Sequence, residues 1–176
     1  MEELQRRLIP GWKTPNGWPA ETASDAGGTI WTREVPGTAV ALTVRDGEPR
    51  ALLEYVIQRF SLDIHALTAA DIRAFDAAER GEAPTGNHAS GTAISLLPGH
   101  YPKGGKEMFE FEVTAVRDIL KSCSGLVAWG GDRSSQSQGF FYLNVPPGST
   151  DLAAWANRRD SAREQLGTPG ILQAGF

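Results

Sequence analysis

The stretch "GNHASGTAISL", from Gly86 to Leu96, joins a histidine, a small-residue turn and a short apolar alternation. A catalytic zinc site needs three protein ligands and an open position for water, together with a base that handles the proton. A histidine before a strand, a carboxylate on that strand and a second histidine on a neighbouring strand build such a site. His88 stands in the first position, but the residue in the second position is Ser95. His88 and the strand predicted over 91–97 therefore fit the first part of such an arrangement, and Ser95 stands where it would need a carboxylate.

The bulk composition is that of an ordinary globular chain. Its 176 residues, 40% apolar and 22% charged, suit a single domain with a sizeable core. The formal net charge of −4 disfavours a nucleic-acid partner, because such proteins carry a basic face. The sequence has no apolar run long enough for a membrane span, and its N-terminus lacks the apolar core of a signal peptide. We therefore expect no membrane partner, and synthesis in the cytoplasm without a signal peptide.

Cysteine usage limits the chemistry further. Cys123 is the only cysteine, so neither an internal disulfide nor a thiolate zinc cluster is expected. In "LKSCSGL" it is interpreted as a small buried side chain, because the sequence points to no base beside it.

Periodicity predicts an α+β fold, a small antiparallel sheet packed with helices. Strands are predicted over 28–35, 38–45, 91–97, 125–131 and 139–145. Helices are predicted over 49–64, 68–81, 107–122 and 149–166. The second helix is the weakest and rests on a capping box of Thr68 and Asp71, with Gly81 as its end. Ser149 or Thr150 caps the last helix.

Three segments are predicted along the chain. Turn chemistry in "PNGWP" and a loop in "ASDAGG" indicate an N-terminal arm over 1–27. A single domain follows over 28–166, and a C-terminal tail over 167–176.

Two motifs that follow each other along the chain resemble those of a known family. "NHASGTAIS", followed by a helix and "GLVAWGGD", is similar to the zinc D-alanyl-D-alanine carboxypeptidase and L-alanyl-D-glutamate endopeptidase family. The likeness is greatest to the forms in endolysins and minor tail proteins of phages that infect actinobacteria. "PNGWPA" and "VPGTAVALTVRDG" stand upstream in the expected order, so that the likeness extends from Pro15 to Val145. It implies a peptidase-like fold.

The first motif departs from the family at a ligand. The family pattern is Ser-x-His-x-x-Gly-x-Ala-x-Asp, in which the histidine and the aspartate bind zinc. His88, Gly91 and Ala93 match, whereas Gly86 replaces the serine and Ser95 replaces the aspartate. The resemblance therefore leaves His88 as a remnant ligand.

The second motif departs at the base and at the last ligand. The family carries an acidic base three residues before its last zinc histidine, typically in Asp-Gly-Met-His. Counting from Asp132 without gaps puts the base on Gln138 and the ligand on Phe141, and a shift by one puts the ligand on Tyr142. A single neutral imidazole, that of His88, holds zinc too weakly. We therefore expect a pseudo-enzyme with no metal, no cofactor and no catalytic residue.

The other histidines leave an alternative open. His65 and His100 are interpreted as surface residues, but His100 in the loop "PGHYPKGGK" can also serve as a relocated zinc ligand.

The resemblance implies a non-catalytic structural protein of a phage particle, a minor tail protein located in the virion. Its arm and tail are expected to contact other virion proteins. One alternative is a peptidoglycan-binding module, whose partner is the host cell wall. The other is a residual cell-wall peptidase that acts on D-Ala or L-Ala-D-Glu bonds.

Overall fold

The computed structural model of the chain describes residues 8–79 and 86–167 and confirms the α+β fold. The strands in this part are β1 (Leu8–Lys13), β2 (Pro19–Glu21), β3 (Ile30–Glu34), β4 (Ala41–Arg45), β5 (Ile72–Arg73), β6 (Ala93–Leu96), β7 (Val127–Trp129) and β8 (Phe140–Leu143). The α-helices are α1 (Glu48–Asp63), α2 (Glu110–Ser122) and α3 (Thr150–Gly167).

The strands form two hairpins and one central sheet. β1 pairs with β2 and β3 with β4, while the central sheet is antiparallel with the order β5-β6-β8-β7. In this sheet Ser95 lies opposite Phe140, and Ile94 lies opposite Phe141. Because successive side chains point to opposite faces of a strand, this register decides which residues share a face with Ser95.

The two faces of the central sheet have different surroundings. On one face, Ile94, Leu96, Phe141 and Leu143 belong to the main hydrophobic core. On the other face, Ala93, Phe140 and Tyr142 form a small separate cluster. We call these the core face and the cavity face.

Helix α1 contributes five fully buried apolar side chains to the main core. Proline in its first turn and Glu48 at its N-terminus favour helix initiation there. Leu52, Leu53, Val56, Ile57 and Phe60 are all fully buried. Burial of one such side chain stabilises the fold by about 2 kcal/mol, so this helix fixes the core face.

The N-terminus of each of the other two helices is held by a side chain. The Glu112 carboxylate accepts hydrogen bonds from the Phe109 amide at 2.8 Å and from the Tyr101 hydroxyl at 3.1 Å. For α3, the Ser149 hydroxyl accepts a hydrogen bond from the Leu152 amide at 3.3 Å. Of the two candidate caps, Ser149 is therefore the one that acts.

The helix predicted over 68–81 is wrong. The capping box of Thr68 and Asp71 is present, but it holds only a short 3-10 turn, Ala69–Asp71, after which the chain becomes β5. The Asp71 carbonyl accepts a hydrogen bond from Leu97, and the Phe75 amide donates to Thr43. Pairing with the sheet thus outweighs the helix propensity of the alanines. Gly81, the expected end, lies outside the described residues.

Part of the predicted N-terminal arm is integral to the domain. Trp18 lies in the core at 7% exposure, and its indole nitrogen donates a hydrogen bond to the Val145 carbonyl at 2.7 Å. Glu21 is fully buried. The contacts predicted for residues 1–7 and for the tail over 168–176 lie outside the described residues. Within the described ranges, the helices are all too short or too polar to cross a membrane.

Candidate functional site

A tight turn positions His88 at the start of β6. His88–Ser90 forms a 3-10 turn, and Gly91 ends it with a left-handed backbone, φ 66°. The Gly91 carbonyl accepts a hydrogen bond from the Arg45 amide at 2.9 Å. A Cβ atom on Gly91 would lie 2.7 Å from that same amide nitrogen. Glycine is therefore required both by the backbone angle and by the close approach of β4.

Polar side chains from the N-terminal hairpin hold this turn in place. The Thr14 hydroxyl donates to the Ser90 hydroxyl at 2.8 Å, and the Asn16 amide group donates to the Thr92 hydroxyl at 2.8 Å. The Asn16 backbone amide donates to the Asn87 side-chain oxygen at 3.0 Å. The "PNGWP" turn therefore has a structural role at the site.

A buried ion pair lies beneath the turn. The Arg45 guanidinium is 3.6 Å from the Glu21 carboxylate, and both side chains are almost completely buried. Arg45 also donates to the carbonyls of Ser90 at 3.0 Å and Pro19 at 2.6 Å. Burial lowers the pKa of Arg45, and the charge of Glu21 opposes this effect. These bonds connect the hairpin, β4 and the His88 turn.

Both ring nitrogens of His88 are engaged. Nδ1 lies 2.5 Å from Oε2 of Glu79, and Nε2 lies 3.0 Å from Oγ of Ser95. An ionised carboxylate only accepts hydrogen bonds, so Nδ1 carries the proton that faces Glu79. In the neutral imidazole Nε2 then has a lone pair, and the Ser95 hydroxyl donates to it. The imidazole is thus held between a carboxylate and an alcohol, with 2% of the residue exposed.

Glu79 is held in its charged form. Burial of the carboxyl raises its pKa, but the hydrogen bond from His88 and the nearby charge of Arg73 outweigh burial and lower it. The Arg73 guanidinium lies 3.9 Å from Glu79 and 2.7 Å from Asp76. A charged Glu79 favours the tautomer in which Nδ1 of His88 is protonated.

Two neighbouring cavities open on this side of the molecule. The smaller, about 210 Å³, lies over the His88 and Ser95 side chains. Its other lining residues are Arg73, Glu79, Gly86, Pro98, Tyr101, Lys103, Gln136, Ser137 and Phe140. The larger, about 540 Å³, shares Lys103 and Gln136 with it and extends to Arg133 and Asn16. Both cavities therefore combine cationic groups with amides and hydroxyls.

The structure places Phe141, the last-ligand position of the ungapped count, away from His88. Phe141 lies on the core face, where its ring is 6.3 Å from that of Phe60. Phe140 lies opposite Ser95, and its ring is 5.3 Å from the His88 imidazole. The phenylalanine beside His88 is thus Phe140 and not Phe141.

Gln138 has a structural role in the loop between β7 and β8. It is 6% exposed, and its side-chain oxygen accepts a hydrogen bond from the Met108 amide at 2.8 Å. Its main-chain oxygen accepts another from the Trp129 indole at 2.6 Å. The side chain therefore joins this loop to the segment before α2.

The residues present do not fit a zinc ion. A hydroxyl at Ser95 and a phenyl ring at Phe140 cannot replace a carboxylate and an imidazole as ligands. Among residues 8–79 and 86–167, no group of three or more His, Cys, Asp or Glu side chains could hold a metal. His100 lies instead beside His65, with ring centroids 6.4 Å apart, and both are exposed.

Cys123 is a buried core residue, as expected. It is fully buried in the main core, and burial raises the pKa of its thiol to about 12. A thiol with this pKa is protonated at neutral pH and is a poor nucleophile.

Sequence reasoning missed Glu79 and the residues that close the cavity. Glu79 falls in the segment predicted as a helix, so no pattern assigned it to His88. Lys103 and Gln136 lie in two polar loops, which carry no periodicity. Comparison with known proteins adds no assignment, because no family model, curated protein or solved structure matches the chain.

Proposed function

We propose that this chain is a structural protein of a phage particle, of the minor tail protein type. It is built on a zinc-peptidase scaffold that does not catalyse zinc-dependent hydrolysis. The observation that carries the proposal is the set of residues that the structure brings together where the resemblance implies a zinc site. These are His88, Ser95 and Phe140, and they contact one another. The phage assignment is supported by the resemblance of "NHASGTAIS" and "GLVAWGGD" to the family forms in phage proteins.

The contacts at these positions support a site that is stable without metal. A buried aspartate that lacks its metal would lose several kcal/mol through desolvation. Ser95 avoids this cost and satisfies one nitrogen of His88, while Phe140 packs against the imidazole. With both residues in place, the described part of the site has no unpaired carboxylate that a cation would neutralise.

An exposed aromatic pair supports a role in protein contacts. Phe109 and Phe111 are 69% and 64% exposed at the start of α2, and their rings stack 6.0 Å apart. Large exposed apolar side chains that lie together are typical of contact surfaces.

Elemental analysis of the purified full chain tests the loss of zinc. We expect less than one tenth of an equivalent of zinc to remain after dialysis. The double variant Ser95→Asp, Phe140→His should gain about one equivalent, because it restores two ligands beside His88. The matched control is Ser95→Asp, Phe141→His, whose histidine faces the core. Stoichiometric zinc in the unmodified chain would contradict the proposal.

Mass spectrometry of purified virions tests the structural role. We expect the chain in particles that have been banded on a density gradient, at a constant copy number relative to the major tail protein. Absence from the particles, with abundant chain in the lysate, would contradict the structural role.

A peptidoglycan-binding role is the second candidate. The observation that favours it is the cavity of about 540 Å³, where Lys103 and Arg133 lie beside the amides of Asn16 and Gln136. Cations and amides suit the carboxylates and peptide groups of a stem peptide. Sedimentation with purified cell wall tests this role: the chain should pellet, and Lys103→Ala with Arg133→Ala should release it. A chain that stays in the supernatant excludes this candidate.

A further inference from the structure

Glu79, His88 and Ser95 form a continuous hydrogen-bonded series at the floor of the smaller cavity. We propose that Ser95 is an activated nucleophile that accepts acyl groups, with His88 as its base and Glu79 as the carboxylate that orients the imidazole. This activity goes beyond the structural role and requires no zinc.

The distances are those of an activated alcohol. A serine hydroxyl is a weak nucleophile unless a base lies within hydrogen-bond reach and a third group fixes that base. Nε2 of His88 lies 3.0 Å from Oγ of Ser95, and Nδ1 lies 2.5 Å from Glu79. The same three roles, with a carboxylate as the third member, occur on unrelated folds and are recognised by geometry.

The cavity admits a small substrate to Ser95. Ser95 is only partly buried and lines the space of about 210 Å³. Pro98 and Phe140 supply an apolar wall, which suits the hydrocarbon part of an acyl group. Because the volume lies below that of ordinary drug-sized sites, the substrate must be small. A carboxylic ester is the class that an activated serine would cleave.

Two polar side chains in the same cavity can stabilise the developing oxyanion. Lys103 and Gln136 both line it. The Gln136 side-chain oxygen is buried and has no hydrogen-bond partner within the described part of the chain. That oxygen would accept a hydrogen bond from a bound substrate, while the donors available to the oxyanion are the Lys103 ammonium and the Nε2 group of the same amide.

The reaction consumes no oxidant or cofactor. Oγ of Ser95 attacks the carbonyl carbon while its proton moves to Nε2 of His88, and the Oγ–C bond forms. The ester C–O bond then breaks, and the leaving alcohol takes the proton from Nε2. Water then bonds through its oxygen to the acyl carbon and gives one proton to Nε2. The Oγ–C bond breaks, Oγ takes that proton, and the carboxylic acid leaves.

A purely structural reading makes a different prediction from the same geometry. In that reading Ser95 only satisfies a buried imidazole, and its hydroxyl is no more reactive than that of an exposed serine. A fluorophosphonate probe separates the two, because it phosphonylates activated serines. The full chain is incubated with the probe, its mass is measured, and the modified residue is mapped by peptide mass spectrometry.

We expect one adduct per chain, on Ser95. Ser95→Ala should abolish it, while Ser134→Ala, in an exposed loop, should leave it unchanged. His88→Gln and Glu79→Gln should slow labelling at least tenfold. Glu79→Gln keeps a hydrogen-bonding group beside His88, so it remains informative if the histidine variant does not fold. Circular dichroism establishes folding. An unlabelled Ser95 in the folded chain, or equal labelling rates in the Glu79→Gln variant, would overturn the proposal.

Discussion

The core face and the cavity face of the central sheet are built from alternate residues of the same two strands, β6 and β8. On the core face, Ile94, Leu96, Phe141 and Leu143 are fully buried against the main core. On the cavity face, a hydroxyl and an imidazole lie among Ala93, Phe140 and Tyr142. One face is held by apolar packing and the other by hydrogen bonds.

This difference separates the residues that maintain the fold from those that carry chemistry. Any polar group on the core face would be buried without a partner, so changes there are costly. On the cavity face, water can reach Ser95, and exchanges between polar groups are tolerated. Substitutions on the cavity face can therefore change the chemistry of the site while the topology is kept.

The sharpest test of the comparison is truncation of neighbouring phenylalanines. Phe141→Ala should lower the free energy of unfolding by about 4 kcal/mol, because it leaves a cavity in a closed core. Phe140→Ala should lower it by less than half as much, since the space created joins the existing cavity. Urea unfolding monitored by circular dichroism measures both. Equal losses would mean that the two faces do not differ in packing.

The second test concerns the ion pair that supports the cavity face. Arg45→Ala should cost about 3 kcal/mol, because it leaves the buried Glu21 carboxylate without its cation. Adding Glu21→Gln to this variant should recover part of the loss, and thermal unfolding of both variants measures the difference. If the second substitution gives no recovery, the loss comes from the hydrogen bonds of Arg45 to Ser90 and Pro19.

The third test isolates the close approach at the His88 turn. Gly91→Ala should cost about 2 kcal/mol or more, from backbone strain and from the contact with the Arg45 amide. Gly37 is the matched control, because its φ is also positive, +76°, but nothing lies within 4 Å of its Cβ position. Gly37→Ala should therefore cost only about 1 kcal/mol. Chemical denaturation measures the free energy of unfolding of both variants. If the two lose the same amount, the close approach to Arg45 does not explain why glycine is needed in this turn.

The smallest effect is a change of stability with pH at Tyr101, which touches both the core and the cavity. Burial and the nearby charge of Glu112 raise the pKa of Tyr101 to about 12. A tyrosine in the unfolded chain titrates at about 10. The contribution of Tyr101 to the free energy of unfolding is therefore complete below that pH and is lost as the pH rises to about 12.

At neutral pH, Tyr101→Phe should lower the free energy of unfolding by about 1 kcal/mol, because the hydrogen bond to Glu112 is missing. The difference from the unmodified chain should shrink between pH 10 and 12. Urea unfolding at a series of pH values measures this. A difference that stays constant over the series would show that Tyr101 titrates normally in the folded state.

The sequence predicted the elements whose periodicity is long. Helix α1 and the strands β3 and β4 could be located because their apolar spacing repeats over many residues. The segment after Thr68 could not, because its strand has two residues and depends on pairing with β6. Local propensity contains no information about that partner.

The candidate site was predicted in part. His88 and Ser95 could be identified from the motif, but the contact of Phe140 with the His88 ring depends on the register of β8, which the sequence does not show. Glu79 could not be predicted, because the fold alone brings it to His88. Loops such as that of Gln136 carry no pattern from which a cavity can be inferred.

The long-range bonds of the N-terminal hairpin have a consequence for the order of folding. Thr14 binds a residue 76 positions away, and Asn16 and Trp18 each bind residues 127 positions away. Contacts with such large sequence separation form slowly and late. During synthesis the hairpin can bind Ser90 and Thr92 of the His88 turn before it can bind Leu143 and Val145, which leave the ribosome later. Attachment of the hairpin to the His88 turn is therefore possible before its attachment to the end of β8.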